Sequence, residues 1–133
     1  IAERAGVTKR TLYGYFRSKD EAIVGADEDA LGELAQGLRD RPADERPGDA
    51  LIAVLVGDDD PDGIMHRWLL RNELVARYPA LLPRYLSWIV QIEVALTEAL
   101  AERLGVDIAH DPAPRALVAS TTAALRATLG WWW

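Results

Sequence analysis

The sequence predicts an all-α protein, and three observations lead to this prediction. Apolar residues recur with helical spacing along the 133 residues, and no segment keeps the alternation of a β-strand. Half of the residues are hydrophobic, which is enough for a core of ordinary domain size. Gly, Pro and Asp residues divide the chain into segments of helical length.

The first helices can be placed from their start and stop signals. Gly6 ends a first helix, because glycine is favoured just past a helix C-terminus. Thr8 caps a second helix that runs to about Phe16. Ser18 caps a third helix, whose apolar positions continue to Leu38.

Four further helices follow a connector that contains Pro42. They are predicted from Asp49 to Val56, from Asp62 to Arg77, from Pro79 to about Leu104, and from Asp111 onward. The helix from Asp62 to Arg77 is apolar almost all round, which predicts a central position rather than one on the surface.

Composition narrows the class of protein. The chain contains no cysteine, no basic-then-apolar leader and no apolar run long enough to span a membrane. We therefore expect a soluble cytoplasmic protein with no membrane partner.

The net charge of −6, taken over the whole chain, argues against a nucleic-acid partner. The charges are, however, unevenly distributed along the sequence. Residues 1–19 carry five Lys and Arg against one acid, Glu3, whereas residues 20–133 carry ten against twenty. The chain thus has a basic head and a strongly acidic body.

The head has the pattern of a helix-turn-helix, in which one helix braces a second that enters the DNA major groove. Residues 1–22 read IAERAGVTKRTLYGYFRSKDEA. Leu12 and Phe16 lie four apart and can pack inward, which leaves Lys9 and Arg10 on the outer face. Basic side chains there suit phosphates and base edges.

This run closely resembles the hallmark of the TetR family of bacterial transcriptional regulators, I-A-x-x-A-G-V-[ST]-x-x-T-L-Y-x-[YH]-F-x-[ST]-K. The resemblance implies a partial helix-turn-helix DNA-binding domain at residues 1–25, which lacks the family's first helix. It also implies a helical effector-binding and dimerisation domain at residues 26–133, from which a C-terminal helix is expected to be absent.

The resemblance also implies roles for residues of the head. Base edges are faced by Lys9, Arg10 and Gly14; phosphates are held by Thr11, Tyr13, Tyr15 and Lys19; and Thr8 stands at the helix cap. Gly14 departs from the family, which often has a large or polar residue there, so any contact would come from the backbone. The implied partner is double-stranded DNA with a pseudo-palindromic operator, bound by a homodimer.

The body contains candidate residues for a small-molecule pocket, because apolar and aromatic side chains there accompany a few polar ones. These are Met65, His66, Trp68, Leu69, Asn72, Tyr85, Trp88, Ile89 and Ile92. An ordinary core explains aromatic residues at helical spacing equally well. Arg71 or Arg84 nearby suggests an amphipathic acid as the effector.

The last helix carries small residues at a spacing of three to four, which permits close approach of another helix. The predicted dimer interface consists of Ala116, Ser120, Ala123, Ala127, Trp131 and Trp132. The three terminal tryptophans span too wide an arc to face one core, so at least one is expected to meet a partner chain or a missing helix.

The sequence offers little support for metal binding, catalysis or nucleotide binding. Residues 58–63 resemble the start of a calcium loop, but the position of its bidentate glutamate is Leu69. His66 and His110 without cysteine indicate no zinc site, and no catalytic or nucleotide-binding motif occurs. We predict no enzyme activity, no metal and no cofactor.

The preferred hypothesis is a ligand-responsive DNA-binding transcriptional regulator. The resemblance implies a repressor that a small apolar or amphipathic effector releases from its operator. The alternative is a helical small-molecule-binding or dimerisation module with a non-functional helix-turn-helix.

Overall fold

The computed structural model describes residues 28–57 and 64–131, and within these ranges every regular element is helical. The elements are α1 (Glu28–Arg39), α2 (Pro47–Val56), α3 (Ile64–Arg77), a 3₁₀ turn (Pro79–Leu81), α4 (Leu82–Leu104) and α5 (Ala113–Trp131). The prediction of an all-α fold is confirmed. Residues 1–27, including the predicted helix-turn-helix, and residues 58–63, the candidate calcium loop, lie outside the described residues.

Local sequence signals account for the turn between α4 and α5. Gly105 adopts a left-handed conformation with φ 65°, and its N–H donates to the Glu102 carbonyl. The Val106 N–H donates to the Ala101 carbonyl, which completes the hydrogen-bond pair typical of a glycine-terminated helix. Asp111 Oδ1 then accepts the Ala113 N–H at 2.8 Å and opens α5 as predicted.

Two predicted helix starts shift for reasons of proline chemistry. Helix α2 begins at Pro47 rather than Asp49, since proline suits the first turn of a helix. The helix expected from Pro79 begins at Leu82 instead, after the 3₁₀ turn. Pro83 has no N–H to donate to the Pro79 carbonyl, and the Leu82 N–H bonds to that carbonyl in the tighter pattern.

Helix α4 occupies the centre of the described body and packs against α1 on one side and α5 on another. The core combines Leu34 and Leu38 of α1 with Leu96 and Leu100 of α4 and Val118 of α5, all of them buried. This arrangement buries two faces of α4 and leaves a third exposed.

The prediction that the Asp62–Arg77 helix is central is wrong. Among its described side chains Trp68 is fully buried, but Leu70 is 46% exposed and Leu74 and Val75 are only partly buried. An apolar side chain can remain on the surface of a folded protein, so composition alone does not place a helix. The central helix is α4.

Charged side chains at the end of α4 hold the connector between α1 and α2. Arg103 donates hydrogen bonds to the backbone carbonyls of Arg41, Pro42 and Glu45. Beside it, Arg39 Nε lies 2.5 Å from Glu102 Oε2, and this guanidinium lowers the pKa of Glu102. The connector's carbonyls are therefore satisfied by a helix distant in sequence.

Replacing Arg103 with Met should lower the free energy of unfolding by about 1–3 kcal/mol, because three carbonyls of the connector lose their charged donor. Urea unfolding followed by circular dichroism would measure the change. The matched control is Arg77→Met, at an exposed position in the last turn of α3. Equal stability of the two variants would contradict the structural role of Arg103.

Candidate effector site and dimer surface

Four of the predicted pocket residues form a cluster between α3 and α4, in which three are joined by hydrogen bonds and the fourth by a ring contact. The indole Nε1 of Trp68 donates to the Tyr85 hydroxyl at 2.9 Å, and that hydroxyl donates to Asn72 Oδ1 at 2.7 Å. Asn72 Nδ2 donates to the Trp68 carbonyl at 3.0 Å, one turn earlier on the same helix. Trp88 meets Trp68 edge to face, with ring centroids 6.3 Å apart.

The other predicted pocket residues differ in how deeply they are buried and in whether their side chains are described. Ile89 and Ile92 are buried in the core on α4, and Leu69 is half-buried on α3. Met65 and His66 lie on the first turn of α3, and their side chains are outside the described set. The prediction that these residues line a pocket remains a prediction.

Two arginines bring positive charge to the aromatic cluster. The Arg71 guanidinium carbon lies 4.3 Å from the centre of the Trp88 ring, which is the geometry of a cation–π contact. On α5, Arg126 has a buried Nε atom with no hydrogen-bond partner in the part of the chain that the structure describes. Sequence reasoning missed Arg126, although it lies one helical turn after the buried Thr122.

Burial raises the pKa of Tyr85 above its ordinary value of 10.0. The hydrogen bond from Trp68, the charge of Arg126, the hydrogen bond to Asn72 and the charge of Arg71 act in the opposite direction and lower it. The balance favours the neutral phenol, so its proton is available for the bond to Asn72.

A separate surface runs along the exposed face of α4. Every fourth residue is apolar and 44–56% exposed: Leu82, Leu86, Val90 and Val94. Beside it lies a groove of about 250 Å³, lined by Val90, Glu93, Val94, Thr97, Glu98, Ile108, Arg115 and Ala119. We call these residues together the α4–α5 surface.

The predicted dimer residues on α5 lie along an exposed strip of this helix. Ala116, Ser120, Ala123 and Ala127 are all exposed. The Ser120 hydroxyl donates to the Ala116 carbonyl at 2.7 Å, so the strip presents small side chains with their polar group already bonded. The Trp131 side chain and Trp132 are outside the described set. The interface stays a prediction.

The eight predicted DNA-contacting residues all lie before residue 28 and are therefore outside the described chain. Within the described chain, no group of three His, Asp or Glu side chains is arranged to hold a metal ion. No helix there is long and apolar enough to cross a membrane.

An all-helical body behind a helix-turn-helix sequence is the arrangement of a helical DNA-binding regulator. Comparison with known families gives the same class: residues 1–23 match the model "Bacterial regulatory proteins, tetR family", and residues 49–133 match the model "MftR C-terminal domain". The chain belongs to the TetR family of bacterial regulatory proteins. This family consists of transcriptional regulators, not enzymes, whose members bind DNA and small-molecule effectors and act as dimers.

One curated relative is the HTH-type transcriptional regulator TcmR of Streptomyces glaucescens. It is 36% identical over 128 residues, an alignment that covers 90% of this chain and 56% of the relative. The chain therefore spans little more than half the length of this relative.

Replacing Tyr85 with Phe should cost about 1–3 kcal/mol of unfolding free energy, because the buried Trp68 Nε1 loses its acceptor. Urea unfolding would measure the change. Tyr78→Phe is the matched control, since Tyr78 is 53% exposed. A loss no larger than that of the control would contradict the cluster.

The same variants test the electrostatics of Tyr85. Because the pKa of Tyr85 is raised in the folded state, the neutral phenol stabilises the folded protein below pH 10. This contribution is lost as the pH rises through the folded-state pKa of Tyr85. From below to above pH 10, the free energy of unfolding should therefore fall more in the unaltered protein than in Tyr85→Phe. Urea unfolding on both sides of pH 10 would measure this difference.

Proposed function

We propose that this chain is the major part of a homodimeric, cytoplasmic DNA-binding transcriptional regulator that responds to a small apolar or amphipathic effector. The observation that carries the proposal is the order of the two family matches, with a TetR head at residues 1–23 and a regulator's C-terminal domain at residues 49–133. A repressor role is typical of the family, and we propose that the effector releases this repressor from DNA.

The charge distribution supports DNA as the partner of the head. The basic residues of the head gain from release of the counterions around DNA phosphates, whereas the acidic body repels DNA. In this proposal base edges are faced by Lys9, Arg10 and Gly14, phosphates are held by Thr11, Tyr13, Tyr15 and Lys19, and Thr8 caps the helix. Two heads in successive major grooves, about 34 Å apart, require a pseudo-palindromic operator.

The α4–α5 surface supports a second copy of this chain as the dimer partner. Its apolar stripe on α4 and the small-residue strip on α5 give two helices that a copy can approach closely. A two-fold axis would pair the same surface of both copies into a bundle of four helices. Ala116, Ser120, Ala123, Ala127, Trp131 and Trp132 are the proposed contacts on α5.

The aromatic cluster supports an effector site at the junction of α3 and α4. Helix α4 contributes Tyr85 and Trp88 to this cluster near its start, and near its end Arg103 holds the connector between α1 and α2. The helix therefore links the cluster to that connector. An effector can shift the spacing of the two heads only if it binds the DNA-incompetent arrangement more tightly. The proposal therefore requires different effector affinities in the two arrangements.

DNA sequences selected from a random pool by the full-length protein would test the head. Lys9→Ala and Arg10→Ala should each weaken binding of the selected site by about 1–3 kcal/mol and reduce its salt dependence. Arg46→Ala is the control, because Arg46 is exposed in the body and pairs with Asp49. If the pool yields no preferred sequence, or both head variants bind like the control, the alternative of a binding module with a non-functional helix-turn-helix is favoured.

Val94→Glu should raise the dimer dissociation constant by about 100-fold, because a two-fold interface buries the introduced carboxylate twice. Sedimentation velocity over a concentration series would measure this. Ile52→Glu is the matched control, since Ile52 on α2 is 50% exposed and Val94 is 52% exposed. A dimer equally stable in both variants would exclude the α4–α5 surface as the interface.

A further inference from the structure

We propose that Arg126 is the anion-binding residue of the effector site, and that the effector is an apolar or aromatic molecule with a single carboxylate. This inference rests on the proposed effector response and adds the chemical class of the effector and the residue that recognises it.

Arg126 differs from the other arginines of the described body in how its donors are used. Arg39 pairs with Glu102, Arg46 pairs with Asp49, and Arg103 binds three backbone carbonyls. Arg126 is only partly exposed, and its buried Nε lacks a hydrogen-bond partner among the described residues. A buried donor on a charged group is costly without an acceptor, so an acceptor from outside the chain would satisfy it.

Neighbouring polar side chains cannot replace Arg126 as the donor to an anion. The proton of the Tyr85 hydroxyl is committed to Asn72 at 2.7 Å. The Thr122 hydroxyl, one turn before Arg126 on α5, lies 2.6 Å from Glu93 Oε1. Both hydroxyl protons are therefore committed within the protein, whereas the Nε–H of Arg126 has no acceptor among the described residues.

The position of Arg126 favours an amphipathic ligand. Thr122, one turn before Arg126 on α5, bonds to Glu93 of α4, the helix that carries Tyr85 and Trp88. The charges of Arg126 and Arg71 both lower the pKa of the Tyr85 hydroxyl, in agreement with this position. Arg71 lies against the face of Trp88, and the remaining surroundings are the apolar side chains of α3 and α4. One negative group on an apolar body matches this combination of charge and aromatic surface.

The unsatisfied atom favours a carboxylate among anions. The Nε–H of arginine points parallel to an Nη–H, and this pair of donors matches the two oxygens of a carboxylate. Phosphate accepts from the same fork but carries more charge into apolar surroundings, which disfavours it. The experiment therefore includes phosphate and uncharged analogues.

The test is direct binding to the unaltered full-length protein by calorimetry. The probes are octanoate, decanoate, myristate and 1-naphthoate, with their methyl esters and octyl phosphate for comparison. We expect at least one carboxylate to bind at least tenfold more tightly than its ester and than octyl phosphate. Binding of none of the carboxylates, or equal binding of acid and ester, would overturn the proposal. Tighter binding of octyl phosphate would assign the site to phosphate instead and would overturn the carboxylate class.

Arg126→Met should reduce carboxylate affinity at least tenfold and leave ester affinity unchanged. Its melting temperature without ligand should equal or exceed that of the unaltered protein, because Nε loses no hydrogen bond. Arg46→Met, at an exposed position outside both the aromatic cluster and the α4–α5 surface, is the matched control and should bind like the unaltered protein. A large loss of unliganded stability in Arg126→Met, or unchanged carboxylate binding, would refute the assignment.

Binding of the probes does not depend on DNA, so the two proposals can fail separately. A protein that selects an operator but binds no carboxylate would be a regulator with an effector of another class. A protein that binds carboxylates through Arg126 but selects no DNA sequence would keep this site and lose the proposed regulatory function.

Discussion

The packing of α4 between α1 and α5 is the constraint on which the rest of the described body depends. Leu96 and Leu100 are fully buried on this helix, and their burial requires neighbours on two sides. Because α1, α5 and α3 together do not cover every face of α4, the stripe from Leu82 to Val94 remains exposed. Core formation and the proposed dimer surface are thus two consequences of the same packing.

Polar groups in this body are distributed so that almost every buried one has a partner. The Trp68 indole and the Tyr85 hydroxyl satisfy each other and Asn72, which makes an aromatic cluster possible in the interior. Arg103 likewise satisfies carbonyls of a connector that has no regular structure of its own. Against this background the unsatisfied Nε of Arg126 stands out, because proteins seldom bury a charged donor without an acceptor.

Helix ends were predicted well where a local residue type decides them. Gly105 ends α4 and Asp111 opens α5 because a left-handed glycine and a capping carboxylate act within a few residues. The position of α3 was predicted wrongly, because its exposed Leu70 depends on which helices lie beside it. Arg126 was missed for the same reason, since its proposed role depends on Tyr85 and Trp88, more than thirty residues earlier in the chain.

The sequence by itself determined the helical class, most helix boundaries, the basic head with its TetR motif and the acidic body. These properties follow from residue type, spacing and charge, which act locally or add along the chain. Only the tertiary structure decided that α4 is central, that Trp68, Asn72, Tyr85 and Trp88 join in one cluster, and that the buried Nε of Arg126 has no hydrogen-bond partner among the described residues. Burial and hydrogen-bond satisfaction depend on neighbours from distant segments, so spacing along one helix could not determine them.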